Sequence, residues 1–322
     1  MNALWEARYE TQMRLPQLGP AGQAKLARSH VLVVGAGALG CAVLPWLVGA
    51  GVGTVRLVDG DRVEPGNLHR QTLYTECDVG AAKAKVAANH LAARNGTVNI
   101  IAEAAMATPH TMRPWVGEAD VVLDCADNAA TSFLLDDACA ALGRPFISAG
   151  VEGVDGHVGA FQAGVTPLLR DVFPAMGEGG CEQAGLLGPV AGLMGALQAQ
   201  MAMAVLLGMA PSPLGTVLCW HGARWAMERM TLGGPVVGNQ PPCPVVTLAD
   251  LKPDDVVWDI RPAMAWPAVP GAVRALPGGL PPQKRVVILC QQGARASLEA
   301  AALRKAGHAN LALCATVLEG AP

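Results

Sequence analysis

Apolar positions along the chain fall in short uncharged runs separated by glycine-rich turns. The clearest such stretch is 31–59. HVLVV is a brief run of β-type residues, followed by GAGALG, an apolar stretch through Ala50, the turn GVG, and TVRLV ending at Asp59. That order predicts strand, turn, helix and strand, a βαβ unit. Pro45 falls inside the expected helix and should kink it or disturb one turn. A second helix is expected over residues 81–93. DVVLDC at 120–125 reads as another buried parallel strand, with Ala126, Asp127 and Asn128 at its C-terminal end. Residues 131–142 read as a helix and 145–149 as a further strand. Strands alternating with helices imply an α/β fold with a doubly wound, mostly parallel Rossmann-like sheet. GGPVVGNQPPCP, residues 233–244, is a linker by composition. The pattern then restarts: VVWDIR and RVVILC read as strands and 297–306 as a helix. The expected organisation is a large unit over 1–232, the linker 233–244, and a small α/β unit over 245–322.

One segment changes the picture. Residues 183–220 contain no charged side chain, and their apolar core is long enough to cross a bilayer. Pro189, Pro211, Pro213, Gln198 and Gln200 interrupt it, Ala and Gly dominate over Leu, and no basic flank orients it. The expectation is a buried helix packed through small residues, with Gly188 and Gly192 at the spacing such contacts use. Composition agrees: 52% of the 322 residues are apolar and 15% charged, which excludes global disorder. A net charge of −3 gives no basic field for nucleic acid. Nine scattered cysteines form no disulfide framework, and the N-terminus has no apolar signal region, so a cytoplasmic protein is expected.

Gly35, Gly37 and Gly40 fit GxGxxG, whose glycines let backbone N–H groups and a helix N-terminus approach a phosphate. Alone, with Asp59 at the end of the second strand, this suggests NAD. The residues that follow argue for a triphosphate. VDGDRVEPGNLHRQTLY sets Asp59, Asp61, Asn67, Arg70 and Gln71 just past that strand, with Lys83 soon after. Arg70 and Lys83 can neutralise phosphate oxygens. Asp127, at the mouth of a parallel strand, could hold Mg²⁺.

RYETQMRLPQLGPAGQAKL, VLVVGAGALG, LVDGDRVEPGNLHRQ, VGAAKAKV, VVLDCADN and CEQAGLLGPVAGLMGALQA together resemble the ThiF/MoeB/HesA branch of the E1-like activating enzymes. The resemblance covers roughly residues 8–232. It implies adenylation of the C-terminal glycine of a ubiquitin-like sulfur carrier with ATP and Mg²⁺, usually by a homodimer. It implies that Asp59 binds ribose, that Asn67, Arg70, Gln71 and Lys83 hold phosphates, and that Asp127 holds the metal. Cys181, in the glycine-rich GEGGCEQAG, stands at the family's cysteine and would take up the acyl group as a nucleophile. Three departures stand out. The family opens RYxRQ, and its second Arg reaches into the partner subunit's site; here that position is Thr11, with Arg8 and Arg14 the nearest alternatives. DNxxTR has become DNAATS, placing Ser132 where an Arg is usual. The zinc-binding CxxC pairs are replaced by Leu168 with Asp171 and by Cys243 with Val246, so no structural zinc is expected and the loop over 168–181 should be untied from Cys243.

The segment 245–322 resembles a rhodanese domain through DIR at 259–261, VPGA at 269–272 and RVVILCQQGARA. Cys290 ends a strand and opens the loop CQQGAR. Backbone N–H groups, a helix N-terminus and Arg295 are expected to lower its thiol pKa and stabilise a persulfide. His69, His157, His221 and His308 show no metal or catalytic spacing. Two readings follow: an adenylyltransferase with a sulfur-transferring tail, or a catalytically weak scaffold that binds a carrier protein or an active homologue. Thr11 and Ser132 favour the second, whereas Asp59, Arg70, Lys83 and Asp127 favour the first. The pathway, whether thiamine, molybdenum cofactor, cysteine or a secondary metabolite, stays open.

Overall fold

The computed structural model describes residues 3–174, 185–236, 242–262, 268–278 and 281–319. Its centre is an eight-stranded sheet in the order β3-β2-β1-β4-β5-β6-β7-β8. The strands are β1 His30–Val34, β2 Thr54–Val58, β3 Asn99–Glu103, β4 Val121–Asp124, β5 Phe146–Glu152, β6 Asp155–Phe161, β7 Thr216–His221 and β8 Ala226–Thr231. β3 through β5 in that order pair in parallel, and β5 through β8 are antiparallel. The chain runs outward from β1 to β2 and β3, then returns to lay β4 on the other side of β1. That reversal opens a crevice at the carboxyl ends of β1 and β4, where open α/β sheets take ligands.

Both faces of the central strands are covered, which is why β1 and β4 are buried along nearly their whole length. Val31 and Val33 of β1 join a core with helices α3 (Ala38–Gly49), α4 (Lys83–Arg94) and Gly188–Leu207, whereas Leu32 and Val34 join one with α5 (Pro109–Glu118) and α6 (Ala129–Leu142). Two further helices, α1 (Ala3–Met13) and α2 (Gly19–Leu26), precede β1. Helix α3 continues through Pro45, which has no N–H to give to the preceding turn.

The uncharged segment forms a helix, Gly188–Leu207, long and apolar enough to cross a membrane by length and composition. Here it lies against α3, β5 and β6. Gln198, wholly buried, donates from Nε2 to Asp124 O at 2.7 Å and Ile147 O at 3.0 Å. The crossing with α3 is close: a Cβ on Gly195 would lie 2.6 Å from Ala42 Cβ and 2.9 Å from Leu39 O. The expected packing through small residues holds, but Gly192 takes no part, since a Cβ there would meet nothing within 4 Å.

The tail forms a separate parallel sheet, β10-β11-β12-β9, from β9 Val245–Val246, β10 Val256–Asp259, β11 Val286–Cys290 and β12 Leu311–Ala315. It is not splayed away. Val245, Val286, Cys290, Leu313 and Leu318 share one apolar core with Ala129, Ala130 and Phe133 of α6.

Candidate active site

The glycine-rich turn is dictated by space. Gly35 leaves β1 at φ +100°, and a Cβ there would lie 2.5 Å from Cys125 O. On Gly40 it would lie 2.1 Å from Gly35 O, so Gly40 serves the turn's own packing and stands behind the cavity wall. Gly37 precedes α3 with no side-chain cap, leaving first-turn N–H groups of that helix open toward the crevice.

A cavity of about 410 Å³ occupies the switch point. Part of its wall is formed by Gly35, Gly37, Asp59, Asp61, Arg70, Gln71, Lys83 and Asp127, which the fold draws together from five separate stretches of chain. Asp59 Oδ2 accepts the Ala36 N–H at 2.7 Å and Oδ1 accepts the Asp61 N–H at 2.8 Å. Burial raises its pKa above the ordinary aspartate value against the pull of Lys83 and those N–H groups. Each oxygen keeps a lone pair for a hydroxyl donor. Lys83 Nζ donates to Asp61 Oδ2 at 3.0 Å. Burial works against this ammonium, but the carboxylates of Asp59, Asp61 and Asp127 prevail and raise its pKa. Arg70 donates through Nη1 to Gly66 O at 2.9 Å. Asn67 is buried behind this wall and does not line the cavity, and its Oδ1 and Gln71 Oε1 have no hydrogen-bond partner among the described residues. Asp127 is exposed at the cavity mouth.

A magnesium ion fits this donor set. Among the described residues no group of three His, Cys, Asp or Glu could hold a metal alone. A hard cation that keeps its waters and bridges phosphates needs only one or two carboxylates, and Asp127 offers one next to Arg70 and Lys83.

Beneath Asp127 lies a buried network with no sequence signature. Asp124 Oδ1 accepts the Ala126 N–H at 3.1 Å and Oδ2 the Ser148 hydroxyl at 2.8 Å. Burial pushes the Asp124 carboxyl up to about 6, against the hydrogen bonds from Ser132 and Ser148. Ser132, where the family has an arginine, is thus part of the floor.

A second group of lining residues was not foreseen. Glu152, Asp155, His157, Phe173, Trp220 and His221 also line the cavity. His157 stacks on Phe173 with centroids 4.8 Å apart, and burial lowers its pKa below the ordinary histidine value. All but Phe173 come from three adjoining strands, where β6 pairs antiparallel with β5 on one side and with β7 on the other, with Glu152 opposite Asp155 and Asp155 opposite His221. Polar residues in those strands were the one available signal.

Two expectations are corrected. The segment at Leu168 and Asp171 is tied to Cys243 after all, by a guanidinium and not a metal. Arg170, in the short helix α7 (Leu169–Val172), donates to Cys243 O at 2.8 Å and Phe133 O at 2.9 Å and pairs with Asp137 at 2.6 Å. The Cys290 thiol is not activated. It is 2% exposed, and burial raises its pKa, outweighing the Ala296, Gly293 and Gln292 N–H groups and Arg295. Cys181 lies outside the described residues. Thr11 is exposed on α1; Arg8 holds Arg94 O at 2.9 Å, and Arg14 pairs with Glu10 at 2.6 Å.

The ThiF family model matches residues 9–238. "Adenylyltransferase and sulfurtransferase MOCS3" of Sus scrofa is 40% identical over 229 residues, covering 70% of this chain and 50% of that protein. "Sulfur carrier protein adenylyltransferase" of Thermus thermophilus is 39% identical over 247 residues, covering 74% of this chain and 89% of its own. The chain thus spans half of the first relative's length and most of the second's. Among solved structures, E. coli MccB with MccA-N7isoASN superposes with a TM-score of 0.65 at 24% identity over 73% of this chain and 74% of that one, a likeness of fold.

Proposed function

The chain belongs to the ThiF family, and from that premise we propose that it adenylates the C-terminal carboxylate of a small ubiquitin-like sulfur-carrier protein ending in Gly-Gly. The observation that carries this reading is the convergence of Asp59, Arg70, Gln71, Lys83 and Asp127 on one cavity at the switch point. ATP would lie with its ribose at Asp59 and its phosphates over Arg70, Gln71 and Lys83. Mg²⁺, held by Asp127 and the phosphates, would supply charge neutralisation. The carrier's terminal carboxylate, entering past Glu152, Asp155 and His221, would attack the α-phosphorus. The bond from that phosphorus to the bridging oxygen breaks, and pyrophosphate leaves carrying its electron pair. Arg70 and Lys83 act on charge that grows during this step, where one preorganised donor is worth about 2.7–4 kcal/mol.

The reading extends to sulfur transfer. The outer sulfur of a persulfide would attack the acyl carbon and expel AMP, and a second thiol would cleave the resulting acyl disulfide to release a thiocarboxylate. Cys290 is the candidate carrier of that sulfur and Cys181 the candidate acceptor of an acyl group. Because Cys290 is buried against α6, the tail would have to move before it acted. The reading also includes a cytoplasmic homodimer without structural zinc, in which Arg170 takes over the tie to Cys243.

The deciding experiment is carrier-dependent ATP–pyrophosphate exchange with the wild-type protein and Asp127→Ala. Exchange by the wild type and its loss in a folded variant are expected. Equal exchange by both would remove Asp127 from the site. No exchange by the wild type, with ATP still bound, would favour the scaffold reading that Thr11 and Ser132 suggest.

A further inference from the structure

The turn that follows Cys290 sits on the first turn of α6. A helix leaves its first four N–H groups without intrahelical partners. In α6, Asn128 Oδ1 accepts the Thr131 N–H at 2.9 Å. The Ala130 N–H is taken by the tail: it donates to Gln292 O at 2.9 Å. The approach is as close as backbones allow. Gly293 has φ +94°, and a Cβ on it would lie 2.6 Å from Ala130 N and 2.8 Å from Ala130 Cα. The turn is braced from within the tail, since Gly293 N–H donates to Cys290 Sγ at 3.0 Å and Val317 N–H to Gln291 O at 3.0 Å. Ser297 Oγ donates to Pro174 O at 3.0 Å, and His110 Nε2 pairs with Asp250 at 2.9 Å, so the tail is anchored at several points. The same stretch is also cavity wall: Asp127 and Asn128, just before α6, and Ala129, Thr131 and Ser132 in its first turn line the candidate site.

We propose that Gln292 and Gly293 are positioning residues of the nucleotide site, and that tail docking and binding of a magnesium–nucleoside triphosphate are coupled through the first turn of α6. The inference rests on the adenylation reading. The docked tail takes up a helix N–H beside Asp127 and fills the space behind it, which sets where that carboxylate stands. Coupling is reciprocal: a ligand that needs the ordered turn tightens the tail, and releasing the tail weakens the ligand. A thiol at position 290 is shielded for as long as the tail serves in this way.

The test uses the full chain. MgATP binding is measured by calorimetry for wild type and Gly293→Val, whose side chain would drive the turn off Ala130. Binding should weaken about 5- to 150-fold, the usual span of such coupling, and ATP without magnesium should lose less. In the exchange assay KM for MgATP should rise while kcat at saturation stays close to wild type. Hydrogen exchange on the wild type supplies a second measurement that no variant can spoil: saturating MgATP should slow the amides of residues 291–297. Wild-type MgATP affinity in a folded Gly293→Val protein would overturn the inference. So would unchanged protection of 291–297 on nucleotide binding. Failure of the wild-type protein to bind MgATP would overturn the adenylation reading, and this inference with it.

Discussion

Lys83→Met removes one positive charge from the cavity while keeping the length of the side chain, and its two effects differ in size. In the protein, Lys83 Nζ stands 3.0 Å from Asp61 Oδ2, with the lysine side chain 8% exposed and the aspartate 62%. At an effective dielectric near 20, unit charges at that distance attract by roughly 5–6 kcal/mol, and in bulk water by roughly 1.4 kcal/mol. Desolvation of the ammonium and the exposure of Asp61 cut this down, and pairs of this kind net about 0–1 kcal/mol. Stability in urea should therefore fall by about 1 kcal/mol or less. In the reaction the same charge faces growing negative charge in a cavity that excludes much water. Its loss there should cost about 2.7–4 kcal/mol, or roughly 10²–10³-fold in kcat. Pyrophosphate exchange and urea denaturation on one preparation read both effects. Lys83→Met combined with Asp61→Asn separates the roles. A lysine that served only to neutralise Asp61 would become dispensable once that carboxylate is gone. The expectation is that the double variant stays as slow as the single one. Exchange by Lys83→Met within about threefold of wild type, or recovery in the double variant, would refute a phosphate-binding role.

Three further outcomes are expected. The Asp124 carboxyl is pushed up to about 6 in the fold, so its neutral form is the favoured one; its contribution to stability is complete below the ordinary value near 4 and is lost as pH rises through about 6. Asp124→Asn should flatten that dependence and exceed wild type by up to about 3 kcal/mol above pH 7; parallel stability curves from pH 4 to 8 would contradict it. Gln198→Leu removes the two side-chain hydrogen bonds to the buried carbonyls of Asp124 and Ile147, and should cost about 1–3 kcal/mol in denaturant; no measurable loss would mean water or another donor replaces the amide. Cys290, buried and hydrogen-bonded, should be alkylated by iodoacetamide far more slowly than exposed Cys77; equal rates by peptide mass would mean the tail leaves α6 readily.

The sequence alone was enough for the βαβ unit, the glycine turn and the set of Asp59, Arg70, Lys83 and Asp127. Those features are local. A β-type run, a turn that admits only glycine and a strand end are written in neighbouring residues, and the parallel sheet then carries each strand end to the same crevice. The buried nature of the helix Gly188–Leu207 was also legible, because Gln198 and the small residues mark a helix that meets protein on its faces. Three things were not legible. The cavity wall of Glu152, Asp155 and His221 depends on β6 pairing antiparallel with both β5 and β7, which sets these residues across from one another, and no spacing along the chain encodes that pairing. The state of Cys290 depends on which surface covers its loop: N–H groups and Arg295 next to it in the chain favour a thiolate, but the apolar face of α6 buries it, and desolvation wins. The tie between Arg170 and Cys243 joins residues far apart in sequence. Charges and hydrogen-bond donors can be read from a sequence, but the dielectric around each of them is set by what packs on top, and that is decided only when the chain has folded.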